Sequence, residues 1–372
     1  MAHCKRLVIS GYYGFSNTGD EAVLSAIVQE FRAQAGDEIE ITVLSGSPKE
    51  TAKTHRVKAV NRMSFSSVIS AIRKCDLLIS GGGSLIQDVT SFHSAVYYLS
   101  IIAMAKVFRR KVMILGQGVG PLRGSLAQAL TAGVLGGVDL ITVRDPESAE
   151  MLKSLGVRRP PIRVTADPTF TLRKCTDEEA VRLLSEAGLS AGENIIAIAL
   201  REWPTSGSAI EEAAMKALKS FISKTQVRIL LITMQTPEDM PLAHRIKTAI
   251  PESVIQPEPY TPEQLLGVLG RCRLVVAMRL HALIFAAAAG VPVLGIEYDP
   301  KVEQFLESTG QKSITLDETV SGLLEERISA AWAERDALAA KLSEMITPMR
   351  AASRENIRLA LGLLKKSVNS NG

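Results

Sequence analysis

The sequence predicts an α/β protein made of two Rossmann-like, doubly wound domains. Short apolar runs bounded by Gly and Pro recur along the chain, as expected for strands of a parallel sheet covered on both faces. Amphipathic helical stretches separate them, and that alternation builds strand–helix units. At 372 residues the chain also exceeds one ordinary core. The expected boundaries are an N-terminal domain over 1–170, a C-terminal domain over 171–346 and a last helix over 347–372 that docks back on a domain.

Lys5–Ser10 reads as the first strand. A turn-rich loop follows, Gly11–Asp20 (GYYGFSNTGD), and then a helix over Glu21–Ala33 with Val23, Ile27 and Phe31 at helical spacing. Strand, Gly-rich loop and helix in that order make a ligand-binding edge. The spacing is not GxGxxG, so no dinucleotide site is expected. Tyr12, Tyr13 and Phe15 suit sugar stacking or a closing lid, or else they pack beneath the loop. Ile39–Leu44 and Leu77–Ser80 are further strands, the latter followed by Gly81, Gly82 and Gly83. Such glycines let backbone N–H groups approach a ligand, or let a helix pack closely on a strand. Asp88, Thr90 and Ser91 read as helix-start chemistry. Val112–Gly116 ends in GQGVGP and Leu140–Val143 ends in Arg144-Asp145-Pro146. Arg144 at a strand's carboxyl end is either a ligand contact or half of a surface pair worth little. Ile162–Val164 and Ala166-Asp167-Pro168 close the first series near Phe170.

Thr171–Glu193 reads as linker and helix. The strand Asn194–Leu200 ends in Arg201-Glu202-Trp203-Pro204, and Val227–Met234 is followed by a helix from near Pro237. Thr261–Leu269 is a short helix. The most informative stretch is Leu274–Lys301: a strand to Met278, a helix over Ala282–Ala289, a strand over Val293–Ile296 and a polar loop ending in Lys301. Arg279 and His281 interrupt an apolar run where its first strand ends. In extended chain, residues two apart point the same way, so both would project from the carboxyl edge. The helix that starts there offers unpaired N–H groups and positive potential to an anion. The chain then reads as a helix Val302–Ser308, a strand Ser313–Leu316 and two long helices, Ser321–Met345 and Thr347–Val368.

With 46% hydrophobic and 22% charged residues, the composition is that of a globular protein. A net charge of +4 is too small and too dispersed to argue for nucleic acid, but it suits an anionic substrate or membrane surface. Cys4, Cys75, Cys175 and Cys272 are scattered without a CxxC pair, so no metal site is expected and a reducing, cytoplasmic location fits. The start MAHCKRLVIS lacks the apolar length of a signal peptide, and no apolar stretch is long enough to span a bilayer.

Seven segments together carry a resemblance: Gly11–Leu24 (GYYGFSNTGDEAVL), Gly81–Ser91 (GGGSLIQDVTS), Gly116–Pro121 (GQGVGP), Val143–Ser148 (VRDPES), Ala166–Phe170 (ADPTF), Arg279–Ala282 (RLHA) and Tyr298–Lys301 (YDPK). In this order they resemble the polysaccharide pyruvyltransferase family, most of all its CsaB type in cell-wall polymer synthesis. The resemblance implies two Rossmann-like halves of the glycosyltransferase-B type. It implies phosphoenolpyruvate as a co-substrate donor, with no cofactor. The implied acceptor is a lipid-linked oligosaccharide carrying N-acetylmannosamine; the mild basicity and the lack of a spanning stretch fit a cytoplasmic protein that reaches it at the inner face of the cell membrane. Carried over residue by residue, it makes His281 and Arg144 catalytic. Arg279, Lys301, Tyr13, Phe15 and Asn17 become substrate-binding, and Gly82, Gly83 and Arg201 are placed beside them by their positions after strands.

The chemistry asks for such residues. Phosphoenolpyruvate is a multiply charged enol phosphate, and guanidinium groups grip carboxylate and phosphate in bidentate fashion. Ketal formation needs a proton on the methylene carbon, for which histidine is the natural carrier near neutral pH. The alternative is a nucleotide-sugar-dependent glycosyltransferase on the same fold, whose anionic donor the same cations would suit. A non-catalytic carbohydrate- or anion-binding protein is a third reading, and the histidine set between basic residues argues against it.

Overall fold

The structure is a computed structural model that describes residues 4–88, 91–190, 192–202 and 207–366. Expectations placed on Thr90, Trp203, Pro204 and 367–372 fall outside the described residues. The chain divides into two compact units, Met1–Leu172 with Met349–Gly372, and Arg173–Pro348.

The first unit alternates strand and helix: β1 (Lys5–Ser10), α1 (Thr18–Ala35), β2 (Ile39–Ser45), α2 (Pro48–His55), β3 (Lys58–Asn61), α3 (Phe65–Lys74), β4 (Leu77–Gly81), α4 (Phe92–Val107), β5 (Lys111–Gln117), α5 (Ser125–Leu135), β6 (Leu140–Val143), α6 (Pro146–Ser154) and β7 (Ile162–Val164). The strands form one sheet in the order β3-β2-β1-β4-β5-β6-β7, every pair parallel. Strand order reverses between β1 and β4, so their carboxyl ends are where a ligand crevice opens. Side chains alternate across the sheet. Leu7, Ile9, Leu77 and Ile79 join α1 through Val23, Leu24, Ile27 and Phe31. Val8, Leu78, Val112 and Ile114 join the opposite layer, with Val68, Ile72, Tyr98 and Ile102. Each such side chain, buried from water, contributes about 1.5–3 kcal/mol.

The second unit begins with α7 (Asp177–Glu186) and continues as β8 (Asn194–Ala199), α8 (Gly207–Lys224), β9 (Val227–Leu231), α9 (Met240–Ala249), β10 (Val254–Ile255), α10 (Pro262–Leu269), β11 (Leu274–Ala277), α11 (Leu280–Ala288), β12 (Val293–Glu297), α12 (Pro300–Thr309), β13 (Lys312–Thr315), α13 (Leu316–Val320), α14 (Leu324–Ala333) and the start of α15 (Arg335–Lys366), whose residues from Met349 on belong to the first unit. Its sheet runs β10-β9-β8-β11-β12-β13, again all parallel, with the order reversing between β8 and β11. Ile196, Ile198, Val276 and Leu294 pack with Leu218 and Phe221 of α8 and Ile328 of α14.

Three local expectations need correction. Extended chain stops before His281: Arg279 is the extended N-cap of α11 and His281 already lies in its first turn, so the two-residue alternation does not relate them. Lys301 is not in a loop but in the first turn of α12, because Asp299 caps that helix and Pro300 begins it. The long C-terminal helices break at Glu334, and α15 runs through Pro348. An interior proline usually ends a helix. Here burial holds both flanks: Leu342 and Ile346 pack on Ala287 in the second unit, and Ile357, Ala360 and Leu364 pack in the first.

Candidate active site

The site residues fall into two groups, one at the carboxyl edge of each sheet.

In the second unit, four neighbouring strand exits supply them. Arg201 follows β8, and its guanidinium lies 5.5 Å from the ring of Tyr298, which follows β12. Asp239 follows β9 and is 3% exposed; Arg279 follows β11 and is 14% exposed. They form a direct ion pair between Arg279 Nη2 and Asp239 Oδ1. The other oxygen of Asp239 accepts from the N–H groups of Met234 and Gln235, both at 3.0 Å. The loop after β9 therefore holds the carboxylate, and the carboxylate aims the guanidinium. Arg279 Nε is buried without a hydrogen-bond partner among the described residues. Its carbonyl accepts from Ala282 at 2.9 Å and Leu283 at 3.3 Å, which starts α11. His281 is half-buried there, its ring 6.3 Å from that of Phe285. Lys301 is half-buried at the start of α12, with its N–H bonded to Asp299 Oδ1 at 3.0 Å. This edge gathers guanidinium groups, an ammonium, an imidazole and two helix starts, an arrangement suited to a multiply charged anion.

In the first unit the loop after β1 is built from below. Tyr13 is 1% exposed and donates its hydroxyl to Gly81 O at 2.7 Å, so it packs under the loop. Gly14 has φ +79°, and a Cβ there would stand 2.3 Å from Ser45 Oγ. Its N–H goes to Glu21 Oε1 at 2.7 Å, and the other oxygen of Glu21 meets His55 Nε2 at 3.2 Å. Asn17 caps α1, accepting from Gly19 at 3.0 Å and Asp20 at 3.3 Å. Phe15 is 39% exposed and stacks on Tyr12 at 4.4 Å, with Arg62 5.3 Å from its ring. Of the loop aromatics, Phe15 is thus the most exposed.

Gly82 and Gly83 are buried with φ of +74° and +65°. A Cβ on Gly82 would stand 1.8 Å from Val23 Cγ1, and one on Gly83 would stand 2.8 Å from Asp20 Oδ1. Gly82 thus allows close helix packing, and Gly83 leaves room for a carboxyl group. Arg144 is also enclosed. It pairs with Asp167 at 3.0 Å, lies 3.6 Å from Asp145 and donates to Ser84 Oγ at 3.3 Å. Asp20, in the first turn of α1, lies near this group. Burial, then Glu21 and Asp167, push its carboxyl up to about 7, with Arg144 pulling the other way.

Asp20, Asp239 and Tyr298 lie beside the candidate residues and are not singled out by the sequence. Asp20 lies within Gly11–Leu24 and Tyr298 opens Tyr298–Lys301. Asp239 had no local signal, because its partner is 40 positions away.

Comparisons with known proteins follow the same lines. The family described as polysaccharide pyruvyl transferase matches residues 17–300. The amylovoran biosynthesis protein AmsJ of Erwinia amylovora is 21% identical, over 87% of this chain and 90% of that protein. Among solved structures, the MnaA–UDP co-structure from S. aureus has a TM-score of 0.68 at 14% identity, covering 96% of this chain and 97% of that one. Anabaena Alr3699/HepE in complex with UDP has a TM-score of 0.64 at 13% identity, covering 96% and 99%. The UDP-GlcNAc 2-epimerase of Neisseria meningitidis bound to UDP-GlcNAc has a TM-score of 0.64 at 12% identity, covering 96% and 100%. At these identities the likeness is one of fold, two parallel-sheet α/β domains of the glycosyltransferase-B type.

Proposed function

The chain belongs to the polysaccharide pyruvyl transferase family, and we propose that it moves pyruvate from phosphoenolpyruvate to a sugar, closing a ketal over two hydroxyls. The proposed acceptor is a lipid-linked oligosaccharide of a cell-wall polymer, with N-acetylmannosamine as the modified sugar, as in the CsaB type. The observation that carries this reading is Arg279: a guanidinium aimed by a buried carboxylate, at a helix start, two residues from a histidine.

In this reading Arg279 and Arg201 take the donor's carboxylate and phosphate, and Lys301 adds a point charge. His281 delivers the proton to the methylene carbon, which makes the adjacent carbon electrophilic toward a sugar hydroxyl. Cations beside the leaving phosphate stabilise its developing charge. Arg144 is proposed as a further cation of the reaction. Phe15 is the proposed stacking surface for the acceptor, on a loop shaped by Tyr13 and Asn17 and backed by Gly82 and Gly83. Among the described residues no helix is long and apolar enough to cross a membrane. The proposed route to a lipid-linked acceptor is peripheral contact with the inner face of the cell membrane, from the cytoplasm.

The test is to incubate the protein with phosphoenolpyruvate and candidate lipid-linked disaccharides, following phosphate release and product mass. Phosphate release with a sugar gaining the mass of a pyruvate ketal is expected. Binding of a uridine diphosphate sugar, with none of phosphoenolpyruvate, would replace this reading by a nucleotide-sugar glycosyltransferase.

A further inference from the structure

Asp20 is a half-buried carboxyl that the fold does not use. Asn17 already caps α1, and nothing among the described residues hydrogen-bonds the Asp20 carboxyl group. An acid in a first helical turn is ordinarily favoured by the helix dipole. This one instead faces two other carboxylates, Glu21 and Asp167, with Arg144 as the nearby cation and the Tyr13 and Tyr98 hydroxyls around it. A half-buried polar group without a partner costs stability, and such groups concentrate at functional sites.

The surrounding backbone leaves space for it. Gly83, after β4, has no Cβ where one would stand 2.8 Å from Asp20 Oδ1. Gly118, after β5, has none where one would stand 3.0 Å from Arg144 Nε and Nη2 and 2.9 Å from Ser84 Oγ. At the carboxyl ends of β1 and β5, Ser10 Oγ and Gln117 Oε1 are buried with no hydrogen-bond partner among the described residues. The exits of β1, at the order reversal, and of β5, beside β4, thus carry polar capacity that the described residues leave unused.

The reaction proposed above moves two protons, and a second carrier would let them move separately. Phosphoenolpyruvate with three negative charges and a sugar diol become a ketal with one negative charge and hydrogen phosphate with two. Both diol protons leave, so that one is matched by the new methyl hydrogen and the other ends on phosphate. We propose that Asp20 is a catalytic acid–base that takes a proton from a sugar hydroxyl as it attacks and gives it to the departing phosphate. The new bond joins the hydroxyl oxygen to the donor's central carbon. The bond that breaks joins that carbon to the phosphate oxygen, and its electron pair leaves with the phosphate. An acid whose midpoint lies at about 7 both accepts and returns a proton without a large penalty either way.

This inference rests on the pyruvyl-transfer reading. The experiment uses the full chain, phosphoenolpyruvate and the acceptor found in the ketal assay. Asp20→Asn should keep phosphoenolpyruvate affinity within about threefold by calorimetry while turnover falls about a hundredfold or more. The acidic limb of the kcat–pH profile should disappear with it. Asp20→Glu, which keeps the acid, should fold and retain part of the rate with that limb displaced; it carries the test if Asp20→Asn does not fold. Wild-type turnover with an unchanged limb in either variant overturns the role, as does a loss of donor binding that accounts for the whole defect. An active wild type with an indifferent Asp20 removes only this inference. A wild type that releases no phosphate with any sugar removes it together with the reading beneath it.

Discussion

Arg279 and Asp239 lie 40 positions apart and form a direct ion pair where two strands leave the sheet. Both members are largely buried, and the carboxylate is itself fixed by backbone N–H groups of Met234 and Gln235. Removing one partner of such a pair leaves a charge with little water around it and costs about 3–5 kcal/mol. Asp239→Ala should lower the melting temperature and raise KM for phosphoenolpyruvate more than it lowers kcat, since it frees Arg279 without deleting it. Arg279→Lys should weaken donor binding even with Asp239 present, because a point charge does not reproduce a fork. Wild-type kinetics in both variants would take this pair out of donor binding.

His281 is expected to carry the proton that activates the donor. His281→Gln keeps a hydrogen-bond donor but transfers no proton. Turnover should fall by about a hundredfold or more, with a much smaller change in donor affinity measured by calorimetry. Near-normal turnover in that variant would leave His281 as a phosphate contact only.

Most strands of the two parallel sheets are legible, because apolar runs separated by Gly and Pro mark buried parallel strands whatever lies far away in sequence, but their order in the sheet and the short margin strand β10 are not. Nor is the strand β3. Lys58–Asn61 has only partly buried or exposed residues at the sheet margin, so it lacks the apolar run by which strands were found. Arg279, His281, Arg201 and Lys301 stood out as polar residues beside apolar strands. Their partners did not: Asp239 looks like a helix-start residue until the fold brings β9 and β11 to one edge. Tyr13 shows the converse. Its loop position fitted a ligand contact as well as a core side chain, and only the bond to Gly81 decides for packing.

Gly82 gives a test of close helix–strand packing. A methyl group there would stand 1.8 Å from Val23 Cγ1 in a residue with φ +74°. Gly290, at φ +80°, has nothing within 4 Å of its Cβ position. Gly290→Ala carries backbone strain alone, roughly 1–2 kcal/mol. Gly82→Ala adds overpacking of typically about 1–3 kcal/mol, occasionally more. The midpoint of urea unfolding should therefore fall clearly further for Gly82→Ala. Equal midpoints would show that α1 shifts away from β4 at little cost.

Asp20 also predicts how stability depends on pH. Its ordinary value is 3.8 and its value in the fold is about 7. Between these two values the folded chain binds more proton than the unfolded chain, so stability falls as pH rises from about 4 to 7 and is then level. The slope from this one group is at most about 1.4 kcal/mol per pH unit, less to the extent that water reaches it. Other carboxylates act in the opposite sense. Backbone N–H groups of Gly124 and Arg123 hold Asp88 below its ordinary value, and the Lys174 ammonium does the same for Asp177. They are common to wild type and to Asp20→Asn, so the difference between the two chains isolates Asp20. That difference should be small near pH 4, grow in favour of Asp20→Asn up to about pH 7, and stay constant above it. Urea unfolding of both proteins at four pH values between 4 and 8 measures it directly. A difference that does not change with pH would mean that Asp20 ionises as an ordinary surface aspartate does, and the proton-carrier role argued for it would lose its physical basis.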